Sequence, residues 1–215
     1  MIRALVFDFD GLILDTETAL IEAYGDVYAA RGLPFDRALF VRSVGHADYA
    51  FDPWKPFGPA ADRIALEAER RRFNQARNEA SPVLPGIVPL LDAGRARGLH
   101  IALASNSSHA HVEGYLAHLG LLDRFGFIAC REDVPSPKPE PDLYRLVLNR
   151  LGLRGSEAVA FEDSHTGSLA ADRAGLHVVA VPNVSTRHHE FGHVDLRVES
   201  LADWTLESLL GKLAV

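Results

Sequence analysis

Val6-Phe7-Asp8-Phe9-Asp10-Gly11-Leu12-Ile13-Leu14-Asp15-Thr16-Glu17 runs from an apolar stretch directly into two aspartates one residue apart, followed at once by a glycine. A carboxylate placed at the tip of a buried strand is costly unless a cation or a proton compensates it. Asp8 and Asp10 therefore mark a site, and the chain has to bring positive charge to it.

Outward from this segment, short apolar runs at residues 4–7, 100–104, 127–130, 158–161 and 178–181 read as buried parallel strands. Helical stretches separate them. Residues 87–97 end at Gly98, 108–119 at Gly120, 142–151 at Gly152 and 168–174 at Gly175, each glycine standing where a left-handed C-cap requires one. This alternation predicts an α/β fold with a doubly wound, Rossmann-like parallel sheet. Ligands of such sheets collect beyond the carboxyl ends of the strands. Asp8 and Asp10, Ser105 and Asn106, and Glu162 and Asp163 all fall there.

One interval breaks the rhythm. Between Thr16 and about Ser81 no buried strand is evident, but residues 19–31, 36–44 and 60–80 are helical in pattern. The last of these is dense in charge (Glu67, Glu69, Arg70, Arg71, Arg72) and reads as a solvated helix face. The expected organisation is a core of residues 1–15 and 82–215 with a helical insertion of residues 16–81, hinged at 11–15 and 81–86. There is no internal repeat and no low-complexity tract.

Composition narrows the function. The chain has 215 residues, 47% of them hydrophobic, enough for one substantial core, and a net charge of -7 with both signs interspersed. Without a Lys/Arg-rich block, neither nucleic acid nor an anionic membrane is an expected partner. Cys130 is the single cysteine, which excludes an internal disulfide and fits a small core residue in a reducing compartment. Met1 leads directly into a strand, with no leader pattern or long apolar span, so the expected location is the cytoplasm. A small ligand and a monomer or weak homo-oligomer are expected.

An isolated Asp-x-Asp pair usually belongs to a solvated turn; its company here argues otherwise. A lysine stands in Pro137-Lys138-Pro139-Glu140-Pro141, and a second acidic pair, Glu162-Asp163, closes another strand. Three carboxylates about one point repel one another in a poorly solvated cleft, and a hard divalent cation with oxygen ligands removes the conflict. Magnesium is the natural candidate. Lys138 is one of only three lysines, with Lys55 and Lys212, in a chain that otherwise uses arginine, so a compact point charge is wanted between those prolines. Ser105-Asn106 offers a hydroxyl, an amide and backbone N–H groups just before a helix, a setting in which phosphate oxygens are readily held.

The segments D-F-D-G, S-N, K-P-E-P and E-D-S-H-T-G, in this order and spacing, resemble the four motifs of the haloacid dehalogenase superfamily. D-G-L-I-L-D-T-E with a helical insertion after it resembles the β-phosphoglucomutase-like branch of that superfamily. The resemblance covers essentially the whole chain and implies a phosphatase for a small phosphate monoester, with the insertion as a cap. Asp8 would then be the nucleophile, forming an aspartyl-phosphate, and Asp10 the general acid and base, starting protonated. Ser105 and Lys138 would assist catalysis, with Asn106, Gly11 and His46 as substrate-binding residues. Magnesium would be held by the Asp8 carboxylate, the Asp10 backbone carbonyl, Asp163 and Glu162, the last directly or through water. Arg42, Trp54 and Lys55 join His46 as candidate selectors in the cap.

The rival within the superfamily is a sugar-phosphate mutase. β-Phosphoglucomutases carry a histidine five residues after the aspartate matching Asp15, and Leu20 stands there. From another class, a phosphoryl-accepting signalling module also phosphorylates an aspartate beside magnesium, but is much shorter and lacks an acid two residues after the acceptor. His188, His189 and His193 could suggest a metal, yet they lie in an irregular polar stretch that reads as a solvated loop.

Overall fold

The computed structural model describes residues 1–41 and 51–213. Six strands form one parallel sheet: β1 (Ala4–Phe7), β2 (His100–Ala104), β3 (Phe127–Ala129), β4 (Ala158–Glu162), β5 (His177–Ala180) and β6 (Leu196–Arg197), in the order β3-β2-β1-β4-β5-β6. The chain therefore has the doubly wound α/β core that its alternating pattern predicts. The first five strands lie within a residue or so of their expected places. β6 is too short to leave a periodic signal.

Alternation along β1 divides the core. Ala4 and Val6 join Ala102, Ala104, Ala158 and Ala160 on one face, under α6 (Asp142–Leu151) and α7 (His165–Arg173). Leu5 and Phe7 join Leu103, Val159 and Phe161 on the other, under α4 (Ile87–Ala96), α5 (His109–His118) and α8 (Leu206–Lys212). Small side chains on the first face let its helices approach closely. On the second, Phe7 stacks on Phe161 with ring centroids 4.8 Å apart. The four expected C-cap glycines, Gly98, Gly120, Gly152 and Gly175, all have positive φ. α7 begins three residues before its expected start because Ser164 caps it, accepting the Gly167 N–H.

The chain forms two compact units, Met1–Leu14 with Pro82–Val215, and Asp15–Ser81. Asp15 goes with the second because its carboxylate caps α1 (Thr16–Ala29), accepting the Thr18 N–H. That unit also contains α2 (Arg37–Val41) and α3 (Arg63–Ala80). Its interior is aromatic, with Tyr24, Tyr28, Phe35, Phe40 and Phe51 in successive ring contacts. Two expectations change here. Trp54, a candidate selector, is a buried core residue against Tyr24 and Phe57, and Arg70 is buried over the Tyr24 ring, paired with Glu67, not solvated. Lys55 is exposed, whereas Arg42 and His46 lie outside the described residues.

The Phe7–Phe161 stack links the two strands that end in the acidic motifs. Phe161→Ala should cost about 3–5 kcal/mol of stability, measured by chemical denaturation; a loss below about 1 kcal/mol would contradict the packing described.

Candidate active site

The order of the sheet reverses at β1, whose neighbours are β2 and β4. Phe7 pairs with Phe161, so Asp8 and Glu162 emerge side by side at this switch point. Asp8, Glu162 and Asp163 are all buried, and one ligating oxygen from each lies within 4.8 Å of the others. Among the described residues no other group of histidines, cysteines and carboxylates converges in this way.

Lys138 enters from the β3–α6 loop and is itself buried. Its Nζ donates to Asp8 Oδ1 at 2.7 Å, to Glu162 Oε1 at 2.5 Å and to the Ala104 carbonyl at 2.8 Å, which uses all three ammonium donors. Tyr144 on α6 donates its hydroxyl to the same Glu162 oxygen and presents its ring 5.2 Å from Nζ. Burial pulls the Lys138 pKa down, but Asp8 and Glu162 outweigh that and hold it well above the usual lysine range, so the ammonium stays charged.

Asn106 departs from expectation. Its Oδ1 accepts the Lys138 N–H at 2.8 Å and its Nδ2 donates to the Lys138 carbonyl at 3.1 Å. The amide that the motif spacing assigns to substrate is thus engaged in fixing the lysine's backbone. Ser105 is buried, and its Oγ accepts the Ser107 N–H at 3.0 Å, which leaves its hydroxyl proton to donate. Gly11 has φ +79°, and a Cβ there would collide with Asp163 Oδ2 and stand 2.6 Å from Asn183 Nδ2. Its N–H is taken by Leu14 O, so glycine is needed for close approach to Asp163 and not as a substrate donor.

The Asp10 side chain is not in the converging acidic set. Its Oδ2 accepts the Ser107 hydroxyl at 2.6 Å, and its Oδ1 lies 3.0 Å from His111 Nε2. The hydrogen bond to Asp10 raises the His111 pKa, which favours a donating imidazolium. Both contacts suit an ionised carboxylate, whereas the motif reading has Asp10 starting as the acid. His111, Tyr144 and Asn183 are site residues that the motifs do not name. Asn183 was findable, since it follows β5 at the sheet's carboxyl end; the other two are reached only through helix phase.

The stretch of 188–193 is an irregular loop, as its composition suggests, with His188, Glu190 and Gly192 exposed and His189 and His193 half-buried. His165 Nδ1 meets the Glu190 carbonyl at 2.6 Å, Ser168 Oγ meets His193 Nε2 at 2.9 Å, and Thr186 and Phe191 nearby are buried.

Charge decides what this arrangement can hold. With all three ionised, the buried carboxylates set against one ammonium leave two negative charges uncompensated, the charge of one divalent cation. Burial pushes the Asp8 pKa up to about 8, with Lys138 opposing and Glu162 and Asp10 reinforcing. Among the described residues, Glu162 Oε2 is buried without a hydrogen-bond partner. All the donors are oxygens, the set preferred by hard cations. The residues fit a metal.

Such a centre, with an aspartate at the tip of the first strand and a lysine pinned against it, defines a hydrolase-type α/β enzyme. A family model for haloacid dehalogenase-like hydrolases matches residues 2–175, and the chain belongs to that family. It is 39% identical to YhcW of Bacillus subtilis (strain 168), over 99% of this chain and 98% of that one. It is 31% identical to hexitol phosphatase B of Escherichia coli (strain K12), over 98% and 97%. The crystal structure of CbbY from Rhodobacter sphaeroides in complex with phosphate superposes with a TM-score of 0.77 and 30% identity, covering 100% of both chains. Among the described residues no helix is long and apolar enough to cross a membrane.

The raised Asp8 pKa has a thermodynamic signature. Without metal, the folded protein keeps a proton that the unfolded chain releases above its ordinary carboxylate range, near pH 4. Stability therefore falls as pH rises from that range toward 8 and levels off above it. A divalent cation competes with this proton, so the rise in thermal midpoint on adding magnesium should be larger at pH 8 than at pH 5.5. An equal rise at both pH values would contradict the reading.

Proposed function

We propose that this protein is a magnesium-dependent phosphatase that hydrolyses a small phosphate monoester, of the sugar-phosphate class, through an aspartyl-phosphate on Asp8. One observation carries the reading: a buried nucleophile-type carboxylate pinned by Lys138 inside an acidic set whose surplus charge is that of one divalent cation. The likeness to hexitol phosphatase B and to phosphate-bound CbbY supports the substrate class.

In this reading the Asp8 carboxylate attacks phosphorus, the ester P–O bond breaks, and Asp10 gives its proton to the departing alkoxide. Water then attacks the phosphorus and Asp10 takes its proton. The bond from phosphorus to Asp8 breaks and inorganic phosphate leaves. Asp10 thus needs both protonation states, and the contacts with Ser107 and His111 suit the ionised one, in which it activates water. Ser105 and the backbone N–H groups before α5 receive the phosphoryl oxygens, while Lys138 offsets their charge and that of Asp8. The metal, when bound, supplies charge compensation to nucleophile and phosphoryl group; Asp8, Asp163 and the Asp10 carbonyl would hold it, with Glu162 adjoining. Asn106 acts by fixing Lys138. Substrate choice falls to the helical unit of residues 15–81, as in the family's caps. We place the enzyme in the cytoplasm on its single buried thiol, Cys130. Leu20, where the mutases have histidine, favours release to water over transfer to a second hydroxyl.

Turnover of an aryl phosphate and of a panel of sugar phosphates, with and without magnesium, tests this. Asp8→Asn should lower the rate roughly a thousandfold or more. Asp10→Asn should lower it about a hundredfold or more, with label retained on the protein. Near-normal turnover by Asp8→Asn, or undiminished turnover after chelation, would overturn the proposal.

A further inference from the structure

Asn183 lies just past β5, and the pairing of Glu162 with Ala180, continued by the Val181 N–H to the Glu162 carbonyl at 2.7 Å, sets it beside Asp163. Its amide is fully used. Nδ2 donates to Asp163 Oδ2 at 2.8 Å and to the Gly11 carbonyl at 3.3 Å. Oδ1 accepts the backbone N–H of Ser185 at 2.8 Å and of Thr186 at 3.2 Å. Because two N–H groups face Oδ1, the amide cannot be turned over without setting donor against donor, so the NH2 group necessarily faces the carboxylate. The Asn183 N–H adds a bond to Thr186 Oγ1 at 3.0 Å, which closes the turn on which the amide rides. Opposite it, Gly11 leaves no room for even one Cβ between its backbone and the Asp163–Asn183 pair.

From this geometry we infer that Asn183 is a positioning residue for the metal site: by holding Oδ2 of Asp163 it fixes the orientation of that carboxylate within the set it forms with Asp8 and Glu162. The inference rests on the proposed magnesium site and names a residue outside its ligand set. Partners that hold a ligating side chain in orientation commonly contribute 10–100-fold to metal affinity. Asn183 holds two things at once, the turn through its acceptor and Asp163 through its donor, and the two roles separate by mutation. Asn183→Ala removes both. Thr186→Val loosens the same turn and leaves the donor to Asp163 in place.

The test is calorimetric titration of the full-length protein with magnesium chloride alone, with thermal midpoints of the metal-free variants recorded alongside. Wild type should bind one ion, Asn183→Ala should bind it about 10–100-fold more weakly, and Thr186→Val should bind within about threefold of wild type even where its midpoint drops. If Asn183→Ala binds like wild type, the positioning role is wrong while the magnesium site stands. If Thr186→Val weakens binding as much as Asn183→Ala does, the effect belongs to the turn and the inference fails. Absence of magnesium binding by wild type would overturn the site and the inference together.

Discussion

The ammonium of Lys138 is the constraint on which the rest of the core is arranged. A buried charge of this kind is stable only when every donor is matched, and breaking such a set by removing one partner typically costs about 3–5 kcal/mol. Here the matching takes residues from four parts of the chain: Asp8 after β1, the Ala104 carbonyl at the end of β2, Glu162 at the end of β4, and Tyr144 on α6 as support for Glu162. Asn106 closes the set by gripping the lysine's own backbone on both sides. With Asp8, Glu162 and Asp163 ionised, the ion pairs still leave negative charge in excess, which a bound cation would compensate.

The sheet makes this convergence possible. Parallel strands whose order reverses at β1 bring the ends of β1 and β4 together, and the shared Phe7–Phe161 stack holds their register. On the opposite face the alanines of β1, β2 and β4 admit α6 close enough for Tyr144 to reach the Glu162 carboxylate. Packing and electrostatics are therefore one arrangement. Larger residues at Ala102 or Ala160 would push out the helix that satisfies Glu162.

Much of this was legible in the chain. Five strands, their intervening helices and the C-cap glycines followed from apolar runs and punctuation, because buried parallel strands and left-handed caps demand particular residue types. The acidic pairs and Lys138 announced themselves by residue type and spacing. Other features had no local signature. β6 is two residues long, and α8 is a short helix at the edge of the core. The burial of Trp54 and Arg70 depends on which face of the helical unit becomes its interior, a tertiary outcome. Asn106 shows the limit most clearly: its type suited a phosphate ligand, but only the fold shows that Lys138's backbone already occupies it. His111 reaches Asp10 across about a hundred residues of sequence, beyond any spacing rule.

One divalent cation would match the surplus charge around Asp8, Glu162 and Asp163. The most direct measurement is anomalous X-ray scattering from crystals of the protein grown with manganese as a magnesium surrogate. One strong anomalous peak is expected in ligating contact with the carboxylates of Asp8 and Asp163. No peak there, or a sole peak at a different cluster, would contradict it.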